Sequence, residues 1–300
     1  MSKPTVNIGR VGIWYGGIDA LPTPEARRAA QLLEELGYGA LWVAEAVGRD
    51  PFVSSAVLLA ATERIALATG IANIYARDPM TMAAAQRTLA EAFPGRFLLG
   101  LGVSHAHLVS NVRKHDYSKP YSYMVEYLQR MDESLFMAIK ADDDGGRVLA
   151  ALGPKMLQLS ASAANGAHPY FTTPEHTAIA RATMGADALL APEQMVVLNT
   201  DPTEARRIAR AGMAVYLRAP NYTNNLKRIG FADSDLADGG SDRLVDAIVA
   251  WGDEQQIADR VAQHHAAGAD HVCVQVLQDG LDGLAMPETQ WRRLAPALLG

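Results

Sequence analysis

Residues 23–43, TPEARRAAQLLEELGYGALWV, can be read end to end as one helix followed by one buried strand. Ala26, Ala29, Leu32, Leu33 and Leu36 recur at three- and four-residue intervals and so share a helix face. Thr23-Pro24 marks the start, because the threonine oxygen can accept a first-turn N–H while proline takes a position where its missing N–H costs nothing. Gly37 supplies a left-handed stop. The apolar run 40–43 beyond it does not alternate, which is the pattern of a parallel strand covered on both faces.

The same start recurs at Asp50-Pro51, Asp78-Pro79, Thr173-Pro174 and Asp201-Pro202. Short apolar strands are predicted at 6–13, 40–43, 65–69, 97–101, 147–150, 166–170, 196–199 and 271–277. Eight strand–helix alternations predict an α/β fold, a closed (β/α)8 TIM barrel forming one domain over residues 1–300. The fifth and sixth strands are the weakest, so an open doubly wound sheet stays as the alternative. Two long insertions follow the fourth and seventh strands. Residues 103–120 carry His105, His107, Arg113, Lys114, His115 and Lys119; residues 219–241 are rich in Asn, Asp and Gly and read as a surface loop or a lid.

Composition narrows the classes. The chain has 300 residues, 49% hydrophobic and 20% charged, enough to bury a large core. A net charge of -6 disfavours nucleic acid and anionic membrane surfaces, which reward basic faces. Cys273 is the only cysteine, so no intramolecular disulfide forms, and its apolar surroundings predict a buried thiol. With no signal-like start and no run of eighteen apolar residues, a soluble cytoplasmic protein is expected.

Enzymes on such barrels work at the C-terminal strand ends. Those ends read Trp14-Tyr15-Gly16-Gly17, Glu45, Gly70-Ile71-Ala72-Asn73, Gly102-Val103-Ser104-His105, Gly153-Pro154, Tyr170-Phe171-Thr172-Thr173, Asn199, and Gln275 with Gln278. This aromatic, amide-rich rim suits a flat uncharged ring. The helix N-termini after Gly153 and Thr173 are suited to a phosphate, although capping alone also explains both.

The stretch IALATGIAN at 65–73, with Asp78-Pro79 and FPGRFLLGLGVS at 93–104, resembles the bacterial-luciferase-like monooxygenase superfamily. YGALWVAE at 38–45 and GAHPY at 166–170 extend the resemblance over nearly the whole chain, and more narrowly it is similar to the deazaflavin branch that uses coenzyme F420. The resemblance implies a luciferase-like barrel and a hydride-transferring oxidoreductase. It implies a non-prolyl cis bond at Gly70-Ile71 with Ala72 and Asn73 in a bulge behind the cofactor ring, and His105 beside that ring. It also implies a phosphate held by Gly153, Pro154, Tyr170, Thr172 and Thr173, with Trp14 and Tyr15 toward the substrate. Where alcohol and sugar-phosphate dehydrogenases of that branch end the second strand in Asp-His, this chain has Glu45-Ala46, leaving Glu45 and His105 as the candidate proton carriers.

Other readings stand beside this one. FMN could replace F420, in a monooxygenase fed reduced flavin by a partner reductase, or the barrel could bind a flavin without turnover. His105 with His107 could be the start of a metal site in a hydrolase, although strand-end support is confined to His168, whose neighbour Pro169 suggests packing. Glu45 could be an ordinary ion-pair partner, and Trp14 and Trp42 core residues. His264-His265 reads as surface. Gly100-Leu101-Gly102 lacks the third glycine and the acidic residue of a dinucleotide fold. The partners expected are a small-molecule substrate and a second copy in a homodimer.

Overall fold

In the computed structural model, which describes residues 3–279 and 285–300, the helix Thr23–Leu36 buries Ala26, Ala29, Ala30, Leu32 and Leu33. It stops at Gly37, whose φ of 91° lies in the left-handed region. Thr23 is its first residue rather than its cap, because the Ala26 N–H bonds the Pro22 carbonyl at 2.9 Å and closes the turn one residue earlier than the Thr-Pro pair predicts. At the other starts the expected caps are in place: Asp50, Asp78, Thr173 and Asp201 each accept a first-turn N–H.

The strands in chain order are β1 (Val11–Trp14), β2 (Ala40–Val43), β3 (Ala66–Thr69), β4 (Ala72–Asn73), β5 (Phe97–Gly102), β6 (Arg147–Leu149), β7 (Gly166–Ala167), β8 (Leu189–Leu190), β9 (Glu193–Val197), β10 (Val249–Trp251) and β11 (Val272–Val276). Their order is β10-β9-β11-β1-β2-β3-β5-β6-β7-β8, with β4 beside β5, and the pairings are parallel. β8 and β9 are two halves of one bent segment. Ala191 N–H reaches the Ala167 carbonyl and Glu193 N–H the Pro169 carbonyl, both at 2.9 Å, so this segment pairs with β7 on one side and with β11 on the other. The ring therefore closes as a (β/α)8 barrel of the luciferase-like type, the open-sheet alternative falls, and β10 lies outside the ring against β9.

Alternation along the strands turns Trp42, Ala68, Leu98, Val148, Ala191 and Cys273 into the barrel, while the helices bury a larger apolar layer outside it. Cys273 is free and buried. The first strand begins later than its apolar run: Gly9 takes a φ of 66° and donates to Asn7 Oδ1, so pairing begins only at Val11, and Val6 and Ile8 join the interior cluster instead. The seventh begins earlier than the predicted 196–199, at Glu193, because Glu193 and Gln194 interrupt the apolar run yet are both buried in the strand. β10 was not foreseen. Residues 219–241 are not a loop: they hold the helices Pro220–Arg228 and Asp233–Leu236, and Asp242–Ile248 follows. Among the described residues no helix is long and apolar enough to cross a membrane.

Candidate active site

The C-terminal strand ends surround a cavity of about 480 Å³. Trp14, Glu45, Gly70, Ile71, His105, Gly153, His168 and Tyr170 all line it. At its back the Gly70-Ile71 peptide is cis. The Trp14 indole donates to the Gly70 carbonyl at 3.1 Å, and a Cβ at position 70 would stand 2.7 Å from Trp14 Nε1 and 3.3 Å from His168 Nε2. A glycine there keeps this surface bare.

Tyrosines build the opposite wall. Tyr170 stacks obliquely on Trp14 with centroids 5.2 Å apart, and its hydroxyl donates to Gln275 Oε1 at 2.6 Å. With that hydrogen committed, the 2.6 Å contact to Tyr216 is one in which the Tyr216 hydroxyl donates. Tyr222 closes the group, edge-on to Tyr216 at 5.4 Å and 5.5 Å from the His105 ring.

His105 is presented by Ser104, which adopts a φ of 58°. Burial lowers the pKa of His105, a hydrogen bond with Asn221 partly opposes this, and Nδ1 is buried without a partner. The imidazole is thus neutral near pH 7, with an unused nitrogen at the cavity wall.

Glu45 is held from several sides. Oε2 accepts the Asn73 N–H at 2.7 Å and Arg77 Nη1 at 2.8 Å, and Oε1 accepts Arg77 Nη2 at 2.7 Å. Arg113 adds a contact at 3.7 Å. The same carboxylate therefore fixes β4 and the start of the following turn.

At the other end Gly153 caps the helix Pro154–Ser162, and its Cβ position lies 3.7 Å from the Arg228 guanidinium. Arg228 donates to the neutral Asn225 Oδ1 at 2.8 Å, and among the described residues no carboxylate pairs with it. A helix N-terminus and a free cation converge there, which is an arrangement for an anion.

The strand-end residues do not all meet. Tyr15 turns outward and packs edge-on against Trp291 at 5.2 Å, so it does not face the substrate space. Ala72 and Asn73 lie buried behind the bulge, Thr172 and Thr173 are buried beside the helix start that Thr173 caps, and Pro154 lies outside the cavity lining. His107 is exposed and accepts from Asn111, so it does not share a site with His105, and no cluster of three metal-ligating side chains occurs among the described residues. His264 is buried rather than at the surface, bonded to Thr177 Oγ1 at 2.8 Å and Gln194 Oε1 at 2.9 Å. Asn221, Tyr222 and Arg228 carry no sequence signal because their helix starts at Ala219-Pro220, where alanine offers no capping oxygen, and Tyr216 lies in a short turn just before it.

This barrel, with its cis-peptide backstop and aromatic cleft, is accompanied by a family match. The chain belongs to the luciferase-like monooxygenase family, whose signature spans residues 14–271, and is an oxidoreductase of that class. A putative coenzyme F420-dependent oxidoreductase of Mycobacterium tuberculosis is 30% identical over 119 residues, 40% of this chain and only 34% of that relative. A 5,10-methylenetetrahydromethanopterin reductase of Archaeoglobus fulgidus is 22% identical over 307 residues, 85% of this chain and 91% of the relative. Among solved structures, an F420-dependent secondary alcohol dehydrogenase in complex with an F420-acetone adduct superposes with a TM-score of 0.76 over 99% of this chain and 100% of its own, at 14% identity. The FMN-bound oxygenating constituent of 3,6-diketocamphane monooxygenase from Pseudomonas putida does so at 0.67, over 97% and 98% with 14% identity. At these identities the structural likeness is one of fold.

Proposed function

We propose that the chain transfers a hydride between coenzyme F420 and a small organic substrate. The observation that carries this reading is the combination of a flat aromatic cleft over bare Gly70 with Arg228 uncompensated at the Gly153 helix start. A planar ring bearing an anionic tail answers both ends at once. Gly70, Ile71, Trp14 and Tyr170 would hold the ring, and Gly153, the first turn from Pro154, and Arg228 the phosphate. When bound, the cofactor supplies the hydride acceptor or donor.

The protein's own residues supply the setting. The aromatic walls exclude water and orient the substrate carbon. His105, neutral and with Nδ1 free, is placed to hold or release the proton that accompanies hydride transfer. Glu45, with both oxygens engaged, acts as the anchor that positions β4 and Arg77. F420 is favoured over FMN by the sequence relative that is named for its coenzyme, a putative F420-dependent oxidoreductase. The family's own description and the FMN-bound neighbour support the second reading, a monooxygenase using reduced FMN and oxygen.

Fluorescence titration of the purified protein with F420, FMN and riboflavin tests this. F420 binds the wild type, and Arg228→Ala weakens F420 by about tenfold, the loss of one charge-assisted hydrogen bond, while leaving riboflavin unchanged. Binding of FMN alone establishes the second reading, and binding of neither ends both.

A further inference from the structure

His168 is the one imidazole that reaches the cavity from inside the barrel. Its ring is stacked on Trp42, with centroids 4.2 Å apart and planes within 18°. Nδ1 lies 2.7 Å from the Ala191 carbonyl, an atom that only accepts, so in the neutral ring Nδ1 carries the hydrogen and Nε2 is left with a bare lone pair. Nε2 has no hydrogen-bond partner although it is buried. Burial holds the imidazole down to about 4, which keeps it neutral at physiological pH and makes it a weak base. The position a side chain at residue 70 would occupy lies 3.3 Å from this nitrogen, and glycine leaves that position, beside the cavity that His168 lines, without a side chain. A buried acceptor left unsatisfied costs about 1–3 kcal/mol, and such groups in folded proteins ordinarily have a partner. The partner here is missing from the chain itself.

We propose that His168 Nε2 is a specificity-determining acceptor that selects, among ligands fitting the cleft, one presenting an N–H or O–H at its innermost edge. This rests on the cofactor reading above and deepens it. The donor is either a ring N–H of the cofactor or the hydroxyl of an alcohol substrate. A carbonyl or ether oxygen at the same point would meet the lone pair of Nε2 and be disfavoured. Stacking on Trp42 and the Nδ1–H bond to the Ala191 carbonyl account for a buried imidazole at this position, and neither uses Nε2.

The test uses full-length protein labelled with 15N in histidine, with long-range 1H–15N correlation at pH 7, and His168→Phe to assign the resonance. The free protein shows His168 as the Nδ1–H tautomer. If the donor belongs to the cofactor, saturation with F420 or FMN moves Nε2 upfield, and N3-methyl FMN does not. If it belongs to the substrate, the cofactor leaves Nε2 in place and 2-propanol moves it in the loaded protein, whereas acetone does not. In His168→Phe the ligand that moved the resonance binds about tenfold more weakly and its donor-free analogue binds as before. Should His168→Phe not fold, His168→Gln, which keeps an acceptor, serves for assignment. Cofactor binding by fluorescence with Nε2 unmoved by every ligand, or the opposite tautomer, overturns the assignment to His168 alone. Absence of any cofactor binding overturns the cofactor reading and this inference with it.

Discussion

Glu193 shows how a single residue can run against its surroundings. It pairs in register with Cys273, whose side chain is interior, while its neighbour Gln194 turns outward to His264, so the Glu193 carboxyl points into the barrel. Oε2 accepts the Phe171 N–H at 3.2 Å and Oε1 has no partner. Burial pushes this acid up from 4.5 to about 8, so the native state keeps a proton that the unfolded chain has released. Between about pH 4.5 and pH 8 the folded state therefore binds more protons, and this residue's contribution to stability falls as pH rises. Glu193→Gln retains the acceptor for Phe171 without titrating: its melting temperature exceeds that of the wild type at pH 8, and the gap closes at pH 5, as calorimetry at both values would show. Gly70→Ala acts at the same scale. Its Cβ would press on Trp14 Nε1 at 2.7 Å and cover His168 Nε2, so flavin binding falls by about tenfold or more, read by fluorescence titration.

Among the elements, the helix Pro79–Ala92 illustrates what local chemistry secures. Asp78 accepts the N–H groups of Met80 at 2.9 Å and Thr81 at 3.1 Å, and Asp78→Ala costs about 1 kcal/mol, measured as a shift in the denaturation midpoint. The helix Pro220–Arg228 illustrates the opposite case. With no capping side chain and a mostly polar sequence, it is held by tertiary packing through Tyr222, Asn225 and Leu226, the last fully buried. Leu226→Ala costs about 2–5 kcal/mol in chemical denaturation, and because the same helix carries Tyr222 and Arg228, it also loosens the cavity wall and weakens cofactor binding.

For the whole molecule, buried histidines set the acid side of stability. His168 and His271 are held down to about 4 and His264 to about 3, all by burial, against an ordinary value of 6.5. Below about pH 6.5 the unfolded chain takes up protons that these native rings refuse, so stability falls with acidification toward pH 4. Glu193 opposes this over part of the range, but one carboxyl does not offset three imidazoles. Stability consequently passes through a maximum near neutrality, where the two slopes meet. Thermal unfolding followed by circular dichroism across pH 4.5 to 8.5 would record that maximum, and a profile flat between pH 5 and 7 would contradict it.

The sequence by itself determined the alternation of capped helices and apolar strands, because period, caps and stops are local properties, whereas closure of the strands into a ring was settled by the pairings of the bent β8–β9 segment. The Gly70-Ile71 bond and the place of His105 were legible only through the family resemblance of the motifs that carry them. Only the tertiary structure decided which strand-end residues share a cavity. Trp14 and Tyr15 are adjacent in the chain, yet alternation across the strand sends one inward and the other against Trp291. Arg228 and Tyr222 reach the cavity from a distant insertion whose helix carries no local start signal, and His168 reads as packing until its tautomer and unpartnered nitrogen are seen in place. Such convergence depends on how separate segments meet, a property that no window of neighbouring residues contains.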